Sequence, residues 1–155
     1  MQCKEIIQVI EATFPRTAAL GFDNVGLLAG RSEKEVSRIY LALDATDVVI
    51  DRAIKEGADM LITHHPLLFS AVKKVTDEDF ITRRIVKLIQ NDISYYAMHT
   101  NYDVLGMAEL AGKVLDIAHT DVLDVTQTDE VGEEKGIGRI GELPETMTLE
   151  ECCVY

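Results

Sequence analysis

The seven residues M-L-I-T-H-H-P, at positions 60–66, decide the predicted fold class. The uncharged run that opens this stretch is typical of a short buried strand, which Pro66 ends. Two further apolar runs, 36–43 and 93–98, lie on either side of it in the sequence. Because segments with helical periodicity separate the three runs, the pattern predicts an α/β fold with a largely parallel or mixed sheet flanked by helices.

Helical segments are predicted from the spacing of apolar residues and from residues typical of helix ends. They span 3–13, 46–57, 76–89 and 106–115. Residues 22–28, F-D-N-V-G-L-L, are predicted as part of a loop, because Asp, Asn and Gly favour turns. A strand is predicted near 137–140. Thr146 or Thr148 is expected to begin a helix that the sequence leaves incomplete.

Acidic residues outnumber basic ones, and most of the excess lies near the end of the chain. The 155 residues include 27 Asp or Glu and 15 Lys or Arg, for a net charge of −12 at pH 7. No cluster of Lys and Arg offers the broad face that binding to nucleic acid phosphates requires. Residues 121–155 carry ten acids and only two bases. We therefore predict two parts, an α/β lobe over 1–120 and an acidic connection over 121–155.

The chain is expected to be cytoplasmic and to lie outside membranes. Charges at Lys4 and Glu5 occupy the place where a signal peptide would have its apolar segment. The longest stretch without a charged residue, 60–72, is too short to span a bilayer. The three cysteines are odd in number and do not have the pattern of a disulfide framework.

Three of the four histidines follow predicted strands, and an aspartate comes soon after the last of them. These residues are His64, His65, His99 and Asp103. Since the carboxyl ends of parallel strands meet at one edge of a sheet, their side chains are expected to lie together. Pro66 favours an extended residue before it, so the two adjacent rings can diverge around a shared centre. This pattern predicts two divalent metal ions, each bound by one imidazole, with Asp103 completing the set of ligands.

Each of these residues also has a simpler interpretation. One of the adjacent histidines can cap a loop while the other packs in the core. His99 can form a hydrogen bond with the backbone of a loop, while Asp103 caps a nearby helix. Thr46 or Asp47 can cap the helix predicted over 46–57, and Asp44, at the end of the first predicted strand, is also expected to cap this helix rather than to bind a ligand. Asp23 and Asn24 are interpreted as turn formers.

Two other motifs are interpreted as structural. G-I-G-R-I-G at 136–141 matches the glycine pattern of dinucleotide-binding loops, but glutamates surround it and no helix begins there to receive a phosphate. The alternation of its residues predicts a strand instead. The pair Cys152-Cys153 is expected to be half-buried in a helix rather than to bind metal.

Five segments together resemble one family of dinuclear-metal proteins. They are F-D-N-V-G-L-L at 22–28, L-A-L-D-A-T at 41–46, I-T-H-H-P-L-L-F at 62–69, H-T-N-Y-D at 99–103 and G-I-G-R-I-G-E-L at 136–143. In this order and spacing they are similar to the N-terminal part of the GTP cyclohydrolase 1 type 2 homologs, also described as YbgI-like or Nif-three-like proteins. The two histidine motifs are the specific part of the resemblance. Phe22 stands where the family usually has tryptophan, which we interpret as a change in packing.

The resemblance implies a Nif-three-like fold, of which this chain is the N-terminal lobe, and a site for two divalent ions, Zn, Mn or Fe. It assigns His64, His65 and Asp103 as metal ligands. It places His99 in the surroundings of the site, as the candidate catalytic residue that orients a ligand or transfers a proton. The family's remaining ligands, a His and a Glu, lie in a second half that this sequence lacks. Residues 1–120 would then carry half of the metal site, and the isolated chain is expected to bind metal weakly.

The same resemblance implies toroidal homohexamers and hydrolytic chemistry. We expect a metal-dependent hydrolase that acts on a small, nucleotide-like substrate, in which the metal ions activate water. The alternative is a non-catalytic module for metal binding, metal delivery or regulation that uses the same ligands. No motif in the sequence is typical of guanine recognition, so the family label alone does not establish a GTP cyclohydrolase reaction.

Overall fold

The computed structural model describes the whole chain, Met1–Tyr155. Contacts divide it into two units, Met1–Asn101 and Tyr102–Tyr155. The predicted division into 1–120 and 121–155 follows charge rather than contacts, and it stays a prediction. None of the helices is long and apolar enough to cross a membrane.

Helices and strands alternate along most of the chain. The helices are α1 (Cys3–Thr13), α2 (Asp47–Lys55), α3 (Phe80–Gln90), α4 (Thr100–Tyr102), α5 (Ala108–Val114) and α6 (Leu149–Cys152). The strands are β1 (Gly26–Ala29), β2 (Ile39–Ala42), β3 (Met60–Thr63), β4 (Ser94–Ala97), β5 (Ala118–Thr128) and β6 (Glu134–Glu142). A 3₁₀ turn (Arg16–Ala18) follows α1, and a π-helical segment (Asp103–Met107) joins α4 to α5.

The first unit contains one four-stranded mixed sheet in the order β1-β4-β3-β2. β2, β3 and β4 are parallel, and β1 is antiparallel to β4. The prediction of an α/β fold with a largely parallel or mixed sheet flanked by helices is therefore confirmed. β1 overlaps residues 22–28, for which the prediction of a loop is wrong from Gly26 onward. A strand of only four residues, directly preceded by turn formers, has too short an alternation to be recognised.

Helices cover both faces of this sheet. On one face, Leu61 and Tyr95 pack in a buried cluster with residues of α2 and α3. On the other face, Met60 and Tyr96 pack in a second cluster with residues of α1. Neighbouring residues of a strand point to opposite faces, so each of these adjacent pairs divides between the two clusters. Because both faces are buried, the register of β3 and β4 is strongly specified.

Polar side chains set where two of the helices begin. The side chain of Thr46 caps α2 by accepting a hydrogen bond from the N–H of Val49 at 3.3 Å. Asp79 caps α3 by accepting a hydrogen bond from the N–H of Ile81 at 2.8 Å. The prediction that Asp44 caps α2 is wrong, because the cap lies two residues later. The Asp44 carboxylate is therefore available for another contact near the end of β2.

The second unit contains the antiparallel pair β5 and β6. The glycine-rich motif at 136–141 lies within β6. Gly136 is so close to β5 that a Cβ atom there would collide with the backbone oxygen of Asp124. This motif therefore serves the close approach of two strands. Thr148 caps the short helix α6.

Candidate metal centre

Parallel strands bring three histidines to one end of the sheet. His64 and His65 follow the last residue of β3 directly, and His99 comes two residues after the end of β4. The backbone N–H of His65 donates to the carbonyl of Leu43 at 3.0 Å, so the parallel pairing continues beyond β2 and β3. The carboxyl ends of these strands thus carry the imidazoles, as is usual for ligand sites in such sheets.

The three imidazoles lie within reach of one another. One nitrogen of each ring lies within 4.8 Å of the corresponding nitrogens of the other two. The ring centroids are 5.0 Å apart for His64 and His65, and 5.1 Å apart for His64 and His99. His65 and His99 are separated by 5.6 Å. Imidazole is the commonest metal ligand among side chains and suits Zn and Fe in particular, so this donor set fits a divalent metal ion.

A carboxylate holds one of these rings in place. Nδ1 of His65 lies 2.7 Å from Oδ1 of Asp44, and both side chains are about half exposed. An ionised carboxylate only accepts hydrogen bonds, so in a neutral imidazole this contact places the ring proton on Nδ1 and leaves the lone pair on Nε2. This is the arrangement in which a histidine binds metal through one nitrogen while the other donates to a carboxylate. Asp44 therefore belongs to the site.

Asp23 makes the equivalent contact with His99. Its Oδ1 lies 3.1 Å from Nδ1 of His99, and its Oδ2 accepts hydrogen bonds from the N–H and the hydroxyl of Thr100 at 3.0 and 2.5 Å. The Asp23 side chain is fully buried. Burial alone raises its pKa, but the hydrogen bonds from Thr100, from His99 and from the N–H of Asn24 outweigh this effect, and the pKa of Asp23 lies below its usual value. The carboxylate thus stays ionised beside His99.

Asp23 is a residue of the site that no pattern in the sequence predicts. Its interpretation as a turn former is correct but incomplete, since Oδ1 also accepts a hydrogen bond from the N–H of Asn24 at 2.8 Å. Seventy-six positions separate Asp23 from His99 in the sequence, so no local spacing reveals the pair. The one available signal is that Asp23 lies in a motif that accompanies the histidine motifs in the family resemblance.

Two loops meet beside the histidines. The side-chain amide of Asn24 donates to the carbonyl of Leu68 at 2.5 Å. The rings of Phe22 and Phe69 lie 6.1 Å apart with a tilt of 50°, and their exposed fractions are 62% and 49%. These contacts tie the loop before β1 to the loop after β3, so the carboxylate and the imidazoles are held by one connected structure.

A small hollow opens beside His65. Its volume is about 220 Å³, and its lining includes Asp44, Phe80 and Arg84. The Arg84 guanidinium forms two hydrogen bonds with Asp47, at 3.1 and 2.8 Å, and lies over the Phe80 ring at 5.2 Å. The positive charge in the hollow is therefore already paired. What the hollow offers is space next to an imidazole.

The remaining predicted ligand, Asp103, opens the π-helical segment of the second unit. π-Helical segments are rare in proteins, and many of those that do occur lie at functional sites. The role of Asp103 as a metal ligand stays a prediction. So does the assignment of His99 to catalysis, because the structure groups its ring with His64 and His65 as a third nitrogen donor.

Comparison with known proteins identifies the family. The family model for Duf34/NIF3 (NGG1p interacting factor 3) matches residues 1–155. A Clostridium perfringens protein named GTP cyclohydrolase 1 type 2 homolog is 40% identical over 153 residues, which cover 97% of this chain and 57% of that protein. The chain thus spans little more than half the length of the curated relatives that it resembles at this level.

Solved structures show the same likeness. A Bacillus cereus protein related to NIF3 superposes with a TM-score of 0.78 at 37% identity, covering 83% of this chain and 36% of that one. Reduced HcgD from Methanocaldococcus jannaschii gives a TM-score of 0.81 at 32% identity, covering 99% of this chain and 58% of that one. Together with the match over residues 1–155, these likenesses show that the chain belongs to the Duf34/NIF3 (NGG1p interacting factor 3) family.

Proposed function

We propose that this chain provides one side of a dinuclear divalent-metal centre in a hydrolase that acts on a small, nucleotide-like substrate. His64, His65 and Asp103 are the proposed ligands of Zn, Mn or Fe ions. His99 is the proposed group that orients a ligand or transfers a proton. The observation that carries this proposal is the cluster of three imidazoles, two of which are held by carboxylates.

A divalent ion bound by these residues supplies Lewis acidity, which lowers the pKa of water and polarises a substrate oxygen. The contribution of the chain itself is to favour a single tautomer for two of the imidazoles, those of His65 and His99. In the neutral ring, the contact with Asp44 places the proton of His65 on Nδ1 and leaves Nε2 as the nitrogen that can bind metal. The ionised Asp23 does the same for His99.

The size of the hollow beside His65 supports a small substrate. At about 220 Å³ it is smaller than the roughly 300–1,000 Å³ of pockets that enclose drug-sized ligands. It therefore suits a fragment of a molecule rather than a whole dinucleotide. The nucleotide-like character of the substrate is supported by the name of the C. perfringens relative, which refers to GTP cyclohydrolase.

The proposal extends to the assembly. Because the relatives are longer than this chain, further metal ligands are proposed to come from polypeptide beyond the matched residues. The whole protein is proposed to be cytoplasmic and to form a homohexamer, as the resemblance of the motifs implies.

Metal titration of the 155-residue chain tests the first part of the proposal. We expect weak binding of Zn²⁺, Mn²⁺ or Fe²⁺, and a further loss of about tenfold or more in His64→Ala and in His65→Ala. His119→Asn is the matched control, because His119 is exposed and lies in β5, and asparagine suits its positive φ of 49°. Equal affinity in the wild type and in the two alanine variants would contradict the proposal.

Turnover is tested with the metal-loaded protein in a polypeptide of the length of its relatives. Nucleotides and phosphoesters are screened as substrates, with product formation as the readout. Loss of turnover in both His64→Ala and Asp103→Ala supports the hydrolase. Metal binding without turnover of any substrate favours the alternative function, a module for metal binding, delivery or regulation.

A further inference from the structure

Two hydroxyl groups support the backbone of His65 from inside the core. Thr63 is the last residue of β3, and Tyr95 lies on the neighbouring strand β4. Their exposed fractions are 1% and 0%. The two hydroxyl oxygens lie 2.8 Å apart and form a hydrogen-bonded pair beneath the turn at residues 65–67.

Three further hydrogen bonds join this pair to the turn. The Thr63 hydroxyl lies 2.8 Å from the carbonyl oxygen of His65, and the Tyr95 hydroxyl lies 3.1 Å from the same oxygen. The backbone N–H of Leu67 donates to the Tyr95 hydroxyl at 2.8 Å. Each hydroxyl has one proton, so one of the two donates to the carbonyl while the other donates to its neighbour. In both arrangements Tyr95 accepts from Leu67.

Pro66 explains why this turn depends on side chains. Proline has no N–H, so the chain between His65 and Leu67 has one donor fewer for pairing with a neighbouring strand. The carbonyl before the proline and the N–H after it are both satisfied by the same hydroxyl pair. A backbone polar group that loses its partner destabilises the conformation that removes it from water, so this pair favours one conformation of the turn.

We propose that Tyr95 is a positioning residue for the metal centre. Its hydroxyl, together with that of Thr63, fixes the turn at residues 65–67 and thereby the direction of the His65 ring. The inference rests on the proposed function, since it takes the His65 imidazole as a metal ligand. Tyr95 acts through the backbone and does not touch the metal or the substrate.

Tyr95→Phe removes the hydroxyl and keeps the buried ring. Tyr96→Phe is a matched control within the same strand. Tyr96 is also 0% exposed, but it packs in the cluster on the opposite face of the sheet, and its hydroxyl lies 3.4 Å from Oε1 of Glu11. Both variants lose one buried hydroxyl, and only the first loses contacts with the turn.

Two readouts separate positioning from general stability. In the metal-free protein, hydrogen exchange of the Leu67 amide is expected to accelerate by about tenfold in Tyr95→Phe and to stay at the wild-type rate in Tyr96→Phe. In a Co²⁺ titration, Tyr95→Phe is expected to lower affinity by about tenfold and to change the visible absorption spectrum of the bound ion. That spectrum reports the arrangement of the ligands, which a loss of stability alone does not alter.

Each result decides the inference. A wild-type spectrum and affinity in Tyr95→Phe would overturn it and leave the proposed function intact. If the wild-type chain binds no Co²⁺, the proposed function fails and, with it, the assignment of Tyr95 to a metal centre; exchange of Leu67 still shows whether Tyr95 holds the turn. Should Tyr95→Phe fail to fold, Thr63→Val removes the other hydroxyl with little change of shape and undergoes the same measurements.

Discussion

Asp44 and His65 meet because they occupy equivalent positions beyond two paired strand ends. β2 and β3 are parallel, and Ala42 pairs with Thr63 at their last position. Two residues further along each chain, Oδ1 of Asp44 lies 2.7 Å from Nδ1 of His65. Side chains at equivalent positions of parallel neighbours share a face of the sheet, so this contact is a consequence of the strand register.

Asp44→Asn keeps the size of the side chain and removes the charge that holds the His65 tautomer. We expect metal affinity to fall by about 10–100-fold, as for other carboxylates behind a ligating histidine. Stability is expected to change little, because the Asp44 side chain is 50% exposed. Calorimetric titration with Zn²⁺ measures the affinity. Asp51→Asn, which removes an exposed carboxylate paired with Lys87, is the control, and an equal loss in both variants would assign the effect to net charge.

Asp23→Ala is expected to act mainly on stability. The substitution leaves the N–H groups of Asn24 and Thr100 and the ring of His99 without a fully buried carboxylate partner. We expect the free energy of unfolding to fall by about 2–3 kcal/mol, which urea unfolding of the metal-free chain measures. Asp51→Ala, at an exposed ion pair, is expected to change it by less than about 0.5 kcal/mol. Similar values for the two variants would show that Asp23 does not organise this loop.

The parallel part of the sheet could be predicted because its physical requirements are local. A strand buried on both faces is mostly apolar, and the runs at 60–63 and 93–98 have this character. Parallel strands also end at a common edge, so the residues that follow them meet there. The grouping of His64 and His65 with His99 follows from these two rules.

The carboxylates that hold the His65 and His99 rings could not be predicted in the same way. The contact of Asp44 with His65 depends on the register of two strands, and that of Asp23 with His99 depends on β1 pairing antiparallel to β4. Both are long-range contacts, and neither leaves a periodic pattern in the sequence. Helix capping also misled the assignment of Asp44, since Asp is a common capping residue, whereas Thr46 takes this role in the structure.

The carboxylate of Asp59, which lies away from the histidines, is expected to make the stability of the folded chain depend on pH. Its pKa lies below the usual 3.8 because its carboxylate accepts hydrogen bonds from the N–H groups of Ser37 and Arg38, against the opposing effect of burial. A lowered pKa in the folded state stabilises the protein above the unfolded pKa, and this contribution disappears as the pH falls through the folded pKa. We expect Asp59→Ala to lower the free energy of unfolding by about 2 kcal/mol at pH 7 and by less at an acidic pH below 3.8. Urea unfolding at both pH values measures the difference, and a constant difference would contradict this assignment.

The surroundings of Gly136 show whether the motif at 136–141 serves as a strand or as a phosphate-binding loop. In a phosphate loop, the glycines allow the backbone to approach a ligand. In β6, the approach is to β5, where a Cβ atom on Gly136 would collide with the backbone of Asp124 and lie 2.7 Å from Cγ1 of Val122. Gly136→Ala is therefore expected to destabilise this pair of strands by about 2 kcal/mol or more, measured by hydrogen exchange of the β5 amides. Gly112→Ala, in α5 where a Cβ meets nothing within 4 Å, is expected to be neutral or to stabilise by up to about 1 kcal/mol. Intact β5 protection in Gly136→Ala, combined with loss of measurable NAD binding, would instead assign the motif to a dinucleotide.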